Sequence, residues 1–358
     1  MFLLMLLSKK VGRAYHIDRI SELSIDVIGI ILQRLSHEEV VRTSILSKKW
    51  RYMWTLVPQL ELMNLKRELY SISSHIFSCE GSTHLKLHNF KVSNVPNFCC
   101  FKSLVKLHLS NIRFESNALG SLFAWLCLTC DTHHFICINV PSSLKILHVQ
   151  SDQVIQLIYL EKAKNLTDLS LVADTHGNNF ERKTISNLLK ALSKMENIYL
   201  GEGYVKILSL GILPKILQSF NCLKYLKLYG VDFNKTKELL FVISLLKSSP
   251  NLQALLIESH SKSMVVGLPL TLEESTYDSC CFSQLLNVNI IVKVAYKNTL
   301  NFIQFLLAHS PSLEILCFKV IHLRQDHYSR PRLFRDLKRM ERASEAVQVV
   351  FICDYMID

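Results

Sequence analysis

A leucine pattern after residue 58 constrains the fold of this chain more than any other feature. The unit Leu-x-x-Leu-x-Leu, with other apolar residues allowed, recurs along the chain, and its copies begin at Leu104, Leu144, Leu166, Met195, Leu223, Leu252, Leu285 and Leu313. From Leu166 onward, successive copies start 28 to 33 residues apart, which is enough for a strand, a loop and a helix. A single unit of this kind cannot bury its own apolar face, so the pattern predicts an array of stacked units.

Apolar residues at helical spacing precede several of these strands. They lie within residues 185–192, 239–246 and 300–306, and they predict a helix before each strand. The last two units, LLKSSPNLQALLI and LLAHSPSLEILCF, are near copies of one another. In both, a proline ends the helix shortly before the strand begins. The alternative is a generic α/β domain with leucine-rich strands, and this close repetition favours the array.

Residues 18–58 form a different unit with more apolar surface than it can bury alone. Apolar side chains lie nearly all round one predicted helix, at Ile25, Val27, Ile28, Ile30, Ile31, Leu32 and Leu35. A surface helix normally has one apolar stripe, which packs against its own protein. A second stripe needs a second surface to pack against, so this unit is expected to dock on a partner. Trp50 and Trp54 share a helix face and are expected in the core or at the junction with the following residues. The alternative is an ordinary three-helix subdomain packed on the rest of the chain.

The same segment resembles the F-box of plant F-box proteins. The resemblance rests on Asp18–Leu23, on the apolar positions of the following helix, and above all on the run TSILSKKWRYMW at residues 43–54. Ser24 and Ser36 stand where the family usually has prolines, and serine is also a good helix N-cap. Ser36 with Glu39 has the spacing of a capping box.

The resemblance implies binding to the Skp-type adaptor of a cullin-based ubiquitin ligase. The side chains expected to contact the adaptor are Leu23, Ile28, Ile31, Leu32, Leu35, Val40 and Leu46. The leucine array similarly resembles the repeats that follow the F-box in plant F-box/LRR proteins. Residues 333–351 resemble the end of the FBD domain of that family, in an abbreviated form.

Together these features predict an α+β, or α/β, repeat protein. We expect a flexible segment at residues 1–17, a three-helix F-box at 18–58, leucine-rich repeats at 59–325 and an abbreviated FBD-like tail at 326–358. The repeats are expected to form an irregular solenoid of the ribonuclease-inhibitor type.

Within each predicted strand, the residues between the leucines point away from the core because side chains alternate. The central outward positions are His108, His148, Ser170, Tyr199, Lys227, Leu256, Asn289 and Cys317. Tyr199, Tyr225, Lys227 and Tyr229 belong to adjacent units, so we expect one patch that binds a protein substrate. Tyrosine suits such a patch because it combines a large area with a polar tip. The alternative is that these are ordinary exposed strand residues.

The formal net charge is +11, and its positive residues are spread widely. They are densest in residues 319–342, which contain eight Lys or Arg and only three Asp or Glu. This segment is either a solvated face or a surface for an anionic partner. Aromatic residues are not interleaved there as base stacking requires, so nucleic acid is not an expected partner. No apolar run approaches the length of a membrane span. Eleven cysteines without regular spacing indicate a reducing compartment, the nucleus, the cytoplasm or both.

Residues 110–143 interrupt the repeat and contain Cys127, Cys130, His133, His134 and Cys137. The first two have zinc-ligand spacing, but the others do not form a matching pair, and buried cysteine is commonly a small hydrophobe. We therefore expect no metal and no other cofactor. Three interpretations of this segment stay open: an insertion, a degenerate repeat or an incorrectly assigned exon.

The chain contains no nucleophile elbow, HExxH motif, Gly-rich phosphate loop or carboxylate pair, and we expect a non-enzymatic protein. The resemblance implies the substrate-recognition subunit of a Skp–cullin–F-box ubiquitin ligase, which contacts the cullin through the adaptor. The alternative is a leucine-rich-repeat scaffold without ligase activity, with an anionic partner at its basic end.

Overall fold

The computed structural model describes residues 19–32, 34, 35, 37–51, 53, 57–64, 69–71, 81–92, 101–114, 135–137, 142–153, 156–158, 163–175, 182–210, 219–259, 281–294, 297–321 and 330–353. The strands found there are β1 Gln59–Met63, β2 Tyr70–Ser71, β3 His84–Val92, β4 Lys106–Phe114, β5 Phe135–Cys137, β6 Ile146–Gln153, β7 Gln156–Ile158, β8 Asp168–Thr175, β9 Asn197–Leu200, β10 Tyr225–Tyr229, β11 Ala254–Ser259, β12 Asn287–Val292, β13 Ile315–Val320 and β14 Gln348–Cys353. The helices are α1 Arg19–Glu22, α2 Ile25–Leu32, α3 His37–Arg42, α4 Arg182–Leu192, α5 Glu202–Leu210, α6 Thr236–Lys247, α7 Lys297–His309 and α8 Arg330–Arg339.

One long sheet dominates the molecule. Its strand order is β1-β3-β4-β6-β8-β9-β10-β11-β12-β13-β14, with β2 beside β3, and every neighbouring pair is parallel. The strands thus follow one another across the sheet in chain order, as stacked repeats require. The short strands β5 and β7 pair separately.

The leucine pattern supplies the core of this sheet. The first residue of each of the eight predicted copies is buried, and the next two apolar positions of the pattern are buried with it. In β10, for example, Leu226 and Leu228 are buried while Tyr225, Lys227 and Tyr229 between them face outward. One face of the sheet therefore carries a continuous apolar core, and the other carries the alternating residues.

The three helices predicted from apolar spacing are present as α4, α6 and α7, each before a strand of the sheet. Helices α6 and α7 end at Lys247 and His309, just before Pro250 and Pro311. Helix α5 was not predicted; it packs against β8, β10 and α6 and buries Tyr204, Val205 and Leu208.

Two further strands with the same apolar pattern, β1 and β3, lie before the first predicted copy. In β1 and β3, Leu60, Leu85 and Leu87 occupy the apolar positions of the pattern and are buried. The first position of the pattern is Val57 in one case and Ser82 in the other. Ser82 is fully buried, and its hydroxyl donates to the Val57 carbonyl at 3.1 Å. A polar residue is therefore tolerated at this position, and it interrupts the apolar pattern at β3.

The N-terminal segment contains α1, α2, α3 and a 3-10 turn at Thr43–Ile45. Trp50 is 2% exposed, and its Nε1 donates to the Ile20 carbonyl at 2.9 Å, so it joins the last part of the segment to the first. Lys49 strengthens this link because its Nζ donates to the carbonyls of Ser21 and Leu23. Trp54 and Ser36 lie outside the described residues.

Ser24 immediately precedes α2 and stands where plant F-box proteins usually have a proline. Its carbonyl accepts the Ile28 amide at 3.0 Å, and its hydroxyl accepts the Val27 amide at 3.4 Å. Serine therefore caps this helix in place of the proline.

Cys127, Cys130, His133 and His134 of the interrupting segment lie outside the described residues, and of Cys137 only the backbone, in β5, is described. Among the described residues, no group of three or more Cys, His, Asp or Glu side chains is arranged to hold a metal. None of the described helices combines the length and apolar character needed to cross a membrane.

Candidate functional site

The N-terminal segment exposes several large aliphatic side chains. Ile25 and Ile30 on α2 are each 56% exposed, and Ile45 in the 3-10 turn is 85% exposed. Ile31 and Leu46 are also exposed. Such a concentration of solvated aliphatic residues on a short segment indicates a surface that another protein covers.

The seven residues predicted to contact the adaptor fall into three groups. Ile31 and Leu46 are exposed, whereas Leu23 and Leu35 are partly buried against the core. The remaining residues, Ile28, Leu32 and Val40, are buried in the core. Their role in adaptor binding stays a prediction, and in this chain their side chains already stabilise the helices. The exposed aliphatic residues of this segment that the prediction omitted are Ile20, Ile25, Val27, Ile30 and Ile45.

On the outward face of the sheet, strand register aligns the central positions of successive repeats. His108 pairs with His148, and the row continues in register to its last predicted member; its members are His108, His148, Ser170, Tyr199, Lys227, Leu256, Asn289 and Cys317. The earlier strands add Glu61 and Lys86, and β14 adds Val350. The row therefore crosses the sheet from β1 to β14 as one line of neighbouring side chains.

Tyr199 and Lys227 meet at the centre of this row. The Lys227 Nζ lies 4.9 Å from the centroid of the Tyr199 ring, within the range of a cation–π interaction. The same Nζ lies 2.8 Å from the Glu258 Oε1. Tyr225 and Tyr229 are in the same strand as Lys227, and Tyr229 pairs in register with Glu258. The four predicted residues thus occupy neighbouring positions, and Glu258 belongs with them.

Sequence reasoning missed Glu258, although the signal was available. Glu258 lies two residues after Leu256, so strand alternation places both on the outward face.

The environment of this cluster shifts two pKa values. Burial raises the pKa of Tyr199, although Lys227 acts against that shift. Burial lowers the pKa of Lys227, but its hydrogen bond to Glu258 and the charge of that carboxylate outweigh burial, so the net pKa is raised. Lys227 is therefore held as a cation between the Tyr199 ring face and the Glu258 carboxylate.

The character of the outward face changes along the sheet. The N-terminal strands carry histidines: the His108 and His148 rings stack with centroids 3.9 Å apart, and the His88 Nδ1 lies 2.8 Å from the Ser110 hydroxyl. The C-terminal strands carry exposed aliphatic residues, including Ile315 and Val350. Tyr199, Tyr225, Lys227 and Tyr229, which form the tyrosine–lysine cluster, lie between the histidine-bearing strands and the strands with exposed aliphatic residues.

Comparison with known proteins gives matches over both parts of the chain. The family model of the F-box domain matches residues 20–61. An Arabidopsis thaliana F-box/FBD/LRR-repeat protein is 25% identical over 420 aligned residues, covering 94% of this chain and 99% of the relative. A second F-box/FBD/LRR-repeat protein of that plant is 24% identical and covers 94% and 96%. A third is 56% identical over 45 residues, which cover 13% of this chain and 10% of the relative.

Proposed function

We propose that this chain, which carries an F-box domain and resembles F-box/FBD/LRR-repeat proteins along nearly its whole length, is the substrate-recognition subunit of a Skp–cullin–F-box ubiquitin ligase. The observation that carries the proposal is the exposed aliphatic surface of α2 and the 3-10 turn inside the matched segment. An adaptor with an apolar groove would remove this surface from water, which is the main favourable term in protein association.

The outward face of the sheet is the proposed site for the protein substrate. It is a wide surface with a central cluster of Tyr199, Tyr225, Lys227 and Tyr229. Tyrosine is enriched at the residues that dominate interface energies. The cation Lys227 is held in place by Glu258, so little conformational freedom is lost when a partner binds.

In this function the chain performs no bond chemistry of its own. It would hold a substrate near a ubiquitin-loaded enzyme elsewhere in the complex, which raises the effective concentration of the reacting groups. The complex would act in the nucleus, the cytoplasm or both.

The adaptor interface is tested by charge substitution at exposed positions. Ile31→Glu combined with Leu46→Glu should abolish co-purification with a Skp-type adaptor, because each carboxylate would enter a desolvated interface at a cost of several kcal/mol. Leu240→Glu is the matched control: Leu240 is exposed to a similar degree but lies on α6. Wild-type adaptor yield with the double variant would leave a repeat scaffold without ligase activity as the function.

A further inference from the structure

A cavity of about 180 Å³ lies at the C-terminal end of the array, between α8 and β14. Its lining consists of Phe334, Leu337, Lys338, Arg342, Val349 and Phe351. None of these residues belongs to the exposed aliphatic surface of α2 and the 3-10 turn, or to the tyrosine–lysine cluster. The cavity is therefore a separate site.

The cavity lies beside a strand whose core face is incompletely covered. Within the described residues, β14 is the last strand of the sheet and pairs only with β13. Val349 and Phe351 continue the core face, since they pair in register with the buried Leu316 and Phe318, but they are only partly buried. Helix α8 covers them incompletely: it buries Leu337 and leaves Phe334 43% exposed.

Two of the residues that line the cavity, Lys338 and Arg342, are cations. The Lys338 Nζ lies 4.5 Å from the centroid of the Phe334 ring, and the Arg342 guanidinium donates to the Val347 carbonyl at 3.5 Å. Arg335 and Arg339 are exposed on the same helix. Within residues 330–353, none of these four cations has a carboxylate at ion-pair distance. The segment 330–353 contains six Lys or Arg and three Asp or Glu residues. The site thus combines an apolar interior with an excess of positive charge at its edge.

We propose that this cavity binds an acidic segment of a partner protein. One large apolar side chain of the segment would enter the cavity, and neighbouring carboxylates would pair with Lys338 and Arg342. The volume supports a single side chain, because cavities for small-molecule ligands typically hold about 300 to 1,000 Å³ and a cavity of about 150 Å³ holds one benzene ring. The cations continue along α8 beyond the opening, which favours a peptide with several carboxylates over one small anion.

A peptide-display selection tests this site. A random peptide library is selected on the complete chain, and the affinities of the enriched peptides are measured by fluorescence anisotropy. We expect peptides with Leu, Phe or Trp beside two or more Asp or Glu residues. Their affinity should fall about tenfold or more in Lys338→Glu with Arg342→Glu, and also in Phe334→Ala, while Lys190→Glu on α4 leaves it unchanged.

Other outcomes overturn the proposal and distinguish it from the sheet site. The absence of enriched peptides, or enrichment of peptides without acidic residues, rules out this ligand class. Equal affinity for the wild type and the charge-reversed variant, with both folded by circular dichroism, shows that the cavity is not used. Loss of binding in Tyr199→Ala with Tyr225→Ala would move the peptide to the sheet. A dimer that dissociates in Lys338→Glu would make a second copy of this chain the occupant.

Discussion

At the scale of single residues, the turn after β10 depends on Gly230. This residue has a φ of +79°, a conformation that costs other residues about 1–2 kcal/mol. A Cβ added there would lie 2.4 Å from the Glu202 Cβ and 3.0 Å from the Glu202 Cα. The turn therefore requires glycine both for its dihedral angle and for the close approach of α5.

We predict that Gly230→Ala lowers the free energy of unfolding by about 2–3 kcal/mol or more, because positive φ and the contact with Glu202 are both unfavourable. The matched control is Gly29→Ala in α2, where an added Cβ meets nothing within 4 Å. That substitution should be neutral or stabilise by about 0.5–1 kcal/mol, since alanine favours a helix interior. Urea denaturation measures both, and an equal effect of the two substitutions would contradict the argument.

His148 should make stability depend on pH. Burial, and next the charge of His108, lower the pKa of His148 to about 4. Between that value and the ordinary pKa of about 6.5, the unfolded chain binds more protons than the folded chain, so stability is full above pH ~6.5 and falls as the pH drops toward 4.

We predict that His148→Phe reduces the loss of stability between pH 7 and pH 5 by about 1 kcal/mol, a figure that allows for the partial exposure of the ring. Phenylalanine keeps a ring against His108 and removes the titrating group. Urea denaturation at pH 7 and pH 5 provides the comparison. Parallel losses of stability in the wild type and the variant would show that other groups cause the effect.

At the scale of secondary structure elements, α2 has two faces with different tasks. Ile28 and Leu32, four residues apart, are buried in the free chain, whereas Val27 and Ile30, three residues apart on another side of the helix, are exposed. A charge on one face should unfold the segment, and a charge on the other should only block the partner.

We predict that Leu32→Asp destabilises the F-box by several kcal/mol, because it buries an unpaired carboxylate. Ile30→Asp should leave thermal unfolding near that of the wild type and still abolish adaptor binding. Thermal melts and adaptor co-purification measured on the same preparations separate the two effects. Unfolding caused by Ile30→Asp would show that this face also packs within the chain.

The sequence predicted elements well where one pattern occupied a whole element. The strands from β4 to β13 on the main sheet, and the helices α4, α6 and α7, follow from leucine spacing and from the prolines after α6 and α7. Burial within the F-box was not predictable in the same way. Because α2 is apolar on nearly every side, periodicity could not tell Leu32, which faces the core, from Ile31, which faces solvent.

At the scale of the whole molecule, the order of strands separates the two proposed interfaces. The F-box leads directly into β1, and α3 contacts that strand. Tyr199 lies on β9, five strands along the sheet, which corresponds to about 24 Å at the usual strand spacing. Sites so far apart, without shared contacts, normally contribute independently to binding and stability.

This separation predicts opposite effects in plant cells. With Ile31→Glu and Leu46→Glu, the chain should still capture substrate but fail to join the ligase, so proximity labelling should recover the substrates even without a proteasome inhibitor. With Tyr199→Ala and Tyr225→Ala, adaptor binding and thermal stability should stay near those of the wild type, while substrate labelling is lost with or without the inhibitor. Tyr199→Phe should retain most labelling, since it keeps the ring over Lys227. Loss of adaptor binding in the tyrosine variant would show that the two surfaces are coupled, and unchanged labelling would remove the sheet face as the substrate site.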